Sequence, residues 1–261
     1  MFIPLHDTNS LKHIRLQYVT IGLIALNVAV WLFTELSPVD VSEAAMVGFG
    51  YIPAVAFDYA ELAPGIAVVP ETATYVTYAF LHTSFLHLAT NMLFLWVFGD
   101  NVEDAMGHLR FLLFYLLCAA AGALFHGLLG PASQAPLVGA SGAISGVVTA
   151  YVLLHPRVRV WVLVLFRIPL PLPAFIPLLI WIGQQFFMLV FDRQGDVSWG
   201  AHVGGIVAGG LLVLVLRRPG VPLFDRQIVT PRAVERNPAA DAAFARPTER
   251  RTPWGRDPGQ Y

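Results

Sequence analysis

The chain has 261 residues, of which 56% are hydrophobic and 13% charged, and its mean hydropathy is +0.64. A water-soluble domain of this length cannot hide so much apolar surface, so the composition excludes an ordinary soluble fold and makes a lipid bilayer the solvent. A net charge of −1 and a pI of about 6.7 leave no basic footprint for a nucleic-acid partner.

Taken in chain order, residues 1–17 form a short N-terminal segment carrying Lys12 and Arg15. Because a spanning helix needs about 20 mostly apolar residues, the runs Tyr18–Leu36, Phe85–Phe98, Phe111–Leu129, Val138–Leu154, Ala174–Phe191 and Trp199–Leu216 are read as six spans. The first lacks a small-residue cleavage site and is expected to stay in place. Between the first two lies a long outer loop, Ser37–Thr77, whose Tyr51, Phe57 and Tyr59 suit the membrane interface. The stretch Arg157–Pro173 is read as a connector, since Pro169, Pro171 and Pro173 exclude a regular helix. Cys118, the sole cysteine, sits in an apolar run and has no disulfide partner. From Pro219 the chain turns polar, so 219–261 is expected to be a disordered cytoplasmic tail. The expected fold is therefore all-α and polytopic: a six-helix membrane core over 18–218 between two cytoplasmic termini. Lysine and arginine bias sets that orientation, with Lys12, Arg15, Arg110, Arg157, Arg217 and Arg218 among the inner charges and Arg193 alone outside.

The second and fourth runs are short and carry polar residues, which in hydrocarbon are costly and tend to face a bundle interior or a wet cavity. Ser141 lies in Gly139-Ala140-Ser141-Gly142 at a helix N-terminus, where its hydroxyl is exposed among small neighbours and free backbone N–H groups can receive negative charge. Gly142 and Gly146 also form a small face of the kind that serves helix packing alone. His202 stands at a similar depth in the sixth run, beside the second small face of Gly205 and Gly209, so the two helices can approach until Ser141 Oγ reaches an imidazole nitrogen. A lone intramembrane histidine can instead be a structural hydrogen-bonder. His87 and Asn91, at i and i+4, share one face entering the second run, where they can hold an oxyanion. His82 and His87 stand near no HExxH, cysteine pair or well-spaced carboxylate, so neither a metal nor another cofactor is expected.

The ordered set Phe80-Leu81-His82 through His87 to Asn91, Gly139-Ala140-Ser141-Gly142, and Ala201-His202 through Gly205 to Gly209 resembles the rhomboid protease family over about residues 18–218. That resemblance implies a six-span intramembrane serine endopeptidase in a bacterial plasma membrane, acting on transmembrane protein substrates within the lipid bilayer. In it Ser141 is nucleophile and His202 general base. His87, Asn91 and the Ser141 N–H stabilise the oxyanion, and His82, Gly139, Gly142 and Gly205 support the site. The run Gly99–Asp104 also looks family-like and is expected to cap and pack the second span's inner end. Two departures stand out: Glu71-Thr72-Ala73-Thr74 stands where some members carry a Trp-Arg pair in the first loop, and Ser145 stands where members often place an aromatic that stacks on the histidine, so another contact must orient His202. Asp196, six positions before His202, is given no catalytic role. The fifth run, with Pro177, Gln184, Gln185 and Trp181, reads as a lateral gate. The alternatives are a catalytically inactive rhomboid-like binder of membrane proteins and a small transporter with histidine proton relays.

Overall fold

The computed structural model describes residues 2–63, 65–164, 167–192 and 197–225. Arg193, Asp196 and most of the tail, from 226 onward, lie outside the described residues. The elements belong to a unit spanning Met1–Ile228. In order they are β1 (Phe2–Asp7), α1 (Tyr18–Leu36), α2 (Val39–Phe49), α3 (Pro53–Ala56), α4 (Glu71–Thr77) running into a 3-10 turn at Tyr78–Phe80, α5 (Phe85–Met106), α6 (His108–Leu129), α7 (Ser141–Leu154), β2 (Arg159–Val164), β3 (Ile168–Pro173), α8 (Phe175–Phe191) and α9 (Trp199–Leu216).

An apolar helix lies at each of the six expected places. Of these, α1, α6 and α9 are long and apolar enough to cross a membrane. The pair Glu71–Phe80 and Phe85–Met106, bent by 87°, makes a fourth if taken as one broken span, while Ser141–Leu154 and Phe175–Phe191 are shorter apolar helices. The long outer loop Ser37–Thr77 is itself largely helical and tied inward. Tyr51 and Tyr78 are fully buried, and Tyr51 and Leu137 exchange backbone hydrogen bonds at 3.1 and 2.8 Å. Its exposed apolar side chains include Val39, Val41 and Tyr59.

The all-α expectation requires correction. β1, β2 and β3 form a three-stranded antiparallel sheet in that order. The stretch expected to be a bare connector is its β2–β3 hairpin, with Arg159 opposite Pro173, Trp161 opposite Pro171 and Leu163 opposite Pro169. Alternating prolines do exclude a helix, yet an edge strand tolerates them when each missing N–H faces away from its single neighbour.

The run Gly99–Asp104 caps, but it caps the first helix rather than its own. Gln17 gives α1 no side-chain cap. Instead Glu103, fully buried, accepts from Val19 N–H at 3.0 Å, Thr20 N–H at 2.8 Å and Thr20 Oγ1 at 2.7 Å. Asp104 accepts from the backbone of Lys12, His13 and Ile14 at 3.0, 2.6 and 2.7 Å. Orphan N–H groups of one helix are thereby satisfied by acids of another, and their partial positive charge meets anions. This network lets α5 run on to Met106, past the polar residues that end the apolar run at Phe98.

The core is set by glycine. A Cβ added at Gly205 of α9 would lie 1.8 Å from the Gly142 carbonyl oxygen of α7, and one at Gly209 would lie 2.5 Å from Gly146 Cα. At Gly204 it would lie 3.1 Å from Gly122 Cα of α6, so three helix backbones converge with almost no side chain between them. Gly205→Val is expected to prevent folding or to lower the melting temperature in micelles by several degrees, since overpacking of this kind costs about 1–3 kcal/mol. Gly183→Ala, with nothing within 4 Å of the new methyl, should leave it unchanged or slightly raised, and equal losses in both variants would refute the crossing.

At the sheet, Asp7 Oδ2 accepts from Tyr151 OH at 2.6 Å and Asn101 Nδ2 at 2.9 Å. Burial nevertheless dominates and pushes the Asp7 carboxyl up to about 6 from 3.8, with the Tyr151 hydrogen bond opposing it. The folded protein thus holds this proton more tightly than the unfolded chain. The penalty of the ionised form is absent below about pH 4, grows as pH rises, and is complete above about pH 6. Asp7→Asn should therefore melt higher than the parent at neutral pH, with the margin closing toward pH 4. A margin independent of pH in thermal melts would show that ionisation of Asp7 is not its source.

Candidate active site

Ser141 opens α7 and is half-buried. Two residues earlier, Gly139 takes φ 118°, a region that only glycine enters freely, and its N–H donates to the Tyr78 carbonyl at 2.9 Å. Tyr78 in turn donates its hydroxyl to Ala119 O of α6 at 2.8 Å. The approach to Ser141 is therefore pinned by a buried tyrosine that the sequence pattern does not single out. The first backbone bond of α7 runs from Ile144 N–H to Ala140 O at 3.0 Å, so the N–H groups of Ser141, Gly142 and Ala143 are the helix's first-turn donors.

Facing this turn, α5 begins at Ser84, whose Oγ accepts from His87 N–H at 3.2 Å. The His87 ring lies against Gly139: a Cβ there would sit 2.6 Å from both Cε1 and Nε2, and 3.9 Å from Asn91 Nδ2. Asn91 is buried and donates through Nδ2 to His82 Nε2 at 3.1 Å, while the His82 and His87 rings meet edge to face at 5.0 Å. His82, His87, Asn91 and Gly139 thus form one cluster two residues from Ser141.

His202 comes from the first turns of α9, whose cap is Ser198 accepting from Ala201 N–H at 3.2 Å. Ser198 Oγ also pairs with His126 Nδ1 of α6 at 2.7 Å. Ala201 O would lie 3.3 Å from a Cβ at Gly142, and Gly205 touches the Gly142 carbonyl, so Ser141 and His202 flank a single helix crossing. The expected hydrogen bond between them is not formed: among the described residues Ser141 Oγ has no hydrogen-bond partner, and His202 bonds through Nδ1 to Gln185 Oε1 at 2.8 Å.

The imidazole is bounded by Trp181, near-parallel at 6.3 Å, and by Trp199, perpendicular at 5.7 Å. Trp181 also meets Phe94 of α5 at 5.9 Å, bridging α5, α8 and α9. Ser145 is buried, and its hydroxyl donates to Ser141 O at 2.7 Å, so it turns along its own helix rather than toward the histidine. Sequence pattern missed the partnership of Gln185 and Trp199 with His202, the tie at Tyr78 and the third glycine helix. The polar pair Gln184 and Gln185, nearly three turns into an apolar run, was the available signal. Among the described residues no cluster of three His, Cys, Asp or Glu is placed to hold a metal ion.

An apolar helical bundle with such a polar cluster defines an integral membrane protein. The rhomboid domain family model matches residues 70–219, more than half of the chain, and the chain belongs to the rhomboid family. It is similar to the mitochondrial Rhomboid protein 1 of Saccharomyces cerevisiae, 34% identical over 137 residues that cover 51% of this chain and 38% of that protein. It is also similar to the rhomboid protease AarA of Providencia stuartii, 28% identical over 213 residues, 74% of this chain and 70% of that one. The putative rhomboid protease YdcA of Bacillus subtilis is 30% identical over 226 residues, 81% of this chain and 94% of that one. The chain spans less than half the length of the yeast relative.

Gly139→Ala places a methyl against the His87 ring in a backbone conformation that L-residues avoid. Labelling of Ser141 by a fluorophosphonate should fall by about 10²-fold, the usual consequence of displacing reacting groups by an ångström. Unchanged labelling would mean that the Gly139–His87 contact does not shape the site.

Proposed function

We propose that this rhomboid protein is an intramembrane serine endopeptidase that cleaves transmembrane segments of membrane proteins near the extracytoplasmic face. The observation that carries this reading is the glycine contact of α7 with α9, which sets Ser141 and His202 on either side of one crossing, with the His87–Asn91 cluster beside them. The naming of several relatives as rhomboid proteases supports it.

In the proposed reaction Ser141 Oγ attacks the scissile carbonyl while His202 accepts its proton through Nε2. The oxyanion is received by the His87 ring, the Asn91 amide and the Ser141 N–H. His202 then returns the proton to the departing amine, and water admitted through a polar, outward-opening cavity hydrolyses the acyl-enzyme. A helical substrate must unwind first, because its carbonyls are engaged in its own hydrogen bonds, and this favours segments with small or helix-breaking residues. Entry is lateral past α8, with Trp181 at the gate. The six apolar helices all span a bacterial plasma membrane and the arginine-rich ends face the cytoplasm. The chain from Pro219 continues on that side, but not as a free tail from its start, since Val221 is buried and the N–H groups of Phe224 and Asp225 donate to Leu153 O and Leu154 O of α7.

Purified protein in micelles should be labelled at Ser141 by a fluorophosphonate, and both Ser141→Ala and His202→Ala should abolish labelling. His87→Ala and Asn91→Ala should each reduce cleavage of a transmembrane substrate by about 10²–10³, the cost of losing one oxyanion donor. Folded parent protein that resists the probe would replace the protease with an inactive binder of membrane segments.

A further inference from the structure

The family's stacking aromatic is absent at Ser145, yet a base needs its ring orientation and its tautomer fixed. Both can be read from Gln185 of α8. Its Nε2 donates to the Trp181 carbonyl at 2.9 Å, and a carbonyl can only accept, so this end of the amide is the NH2. The other end, Oε1, can only accept, and it lies 2.8 Å from His202 Nδ1. Nδ1 must therefore carry hydrogen. In the neutral imidazole the lone pair is then confined to Nε2, the nitrogen left for Ser141. Gln185 is 2% exposed and His202 9%, so water does not compete for this bond, and Trp181 and Trp199 restrict the ring on a face and an edge.

Resting on the protease reading above, we infer that Gln185 is a positioning residue: it holds His202 as the Nδ1–H tautomer and aims Nε2 at the nucleophile. It fills the orienting role that a carboxylate has in serine triads, but without a charge. Because Gln185 belongs to the helix proposed as the gate, the base is set by the same element that admits substrate. Outward displacement of α8 loosens His202, and its return re-arms the site.

The test uses full-length protein. Gln185→Leu removes the acceptor and should lower kcat and the rate of fluorophosphonate labelling by about 10²-fold, the scale of general-base catalysis, with KM little changed. Gln185→Glu keeps the acceptor and adds charge, so it should retain most of the rate while moving the acid limb of the pH–rate profile upward by about 1–3 units. A purely structural glutamine would lower the yield of folded protein in both variants and leave that limb in place. Nitrogen-15 NMR of histidine-labelled parent protein gives an answer that does not need activity, with Nδ1 protonated and Nε2 bare at His202. The reverse tautomer, or parent labelling rates in Gln185→Leu, would overturn the inference. A parent protein that resists the probe but shows the expected tautomer would overturn the protease reading alone.

Discussion

Gly142 and Gly205 meet so closely that the carbonyl of one occupies the space a methyl on the other would need. In a bilayer, lipid tails are as apolar as leucine, so helices gain little by hiding apolar side chains from them, and close backbone approach supplies the attraction instead. Repeating the contact one turn deeper at Gly146 and Gly209, and against α6 at Gly122 and Gly204, makes a three-helix seam rather than a point. Ser141 and His202 sit at the top of that seam. Their spacing is thus a by-product of how the helices hold together, and the chemistry proposed for them would need no separate scaffold.

The polar residues follow from the same economy of contacts. A polar group inside hydrocarbon must find a partner in the protein, and the two ends of α5 solve this differently. At one end Asn91 donates to His82, and His87 leans on Gly139, leaving donor groups clustered near the serine. At the other, Glu103 and Asp104 are consumed by backbone N–H groups of α1 and the segment before it. One helix therefore offers a polar end beside Ser141 and an anchored end. The anchor also gathers the N-terminal residues, whose β1 strand joins the β2–β3 hairpin.

Much of this was legible in the chain. The boundaries of α1 and α9 agree with the apolar runs Tyr18–Leu36 and Trp199–Leu216, because those runs end where the hydrogen-bonded helices do. The serine and the histidines could be singled out because polar residues in apolar runs are few. What escaped were features whose cause lies far away in sequence. The extension of α5 beyond Phe98 depends on backbone donors of residues 12–20, and β2 pairs with a strand that precedes it by more than a hundred residues. Alternating prolines exclude a helix without revealing whether an edge strand or a bare loop replaces it. Gln185 was visible as a polar intruder in α8, but which helix it turns toward is a matter of packing.

That glutamine bears on why the site tolerates an apolar setting. A carboxylate beside His202 would need its own partner in a region where unpaired charge is costly, and it would favour the protonated ring that cannot act as base. An amide orients the imidazole through a neutral hydrogen bond, and its remaining donor is satisfied within its own helix at Trp181 O. The arrangement therefore adds no net charge to the seam between α8 and α9. It also leaves that seam joined by two side-chain hydrogen bonds, this one and Trp199 Nε1 to Asp192 Oδ2 at 3.0 Å, and by the Trp181 ring against His202, links that the proposed movement of α8 would part and re-form. A charged pair buried at the same place would resist parting by several kcal/mol, as buried ion pairs do when one partner is removed. The proposed movement of α8 and the proposed base held in one tautomer are compatible because the Gln185–His202 link is neutral.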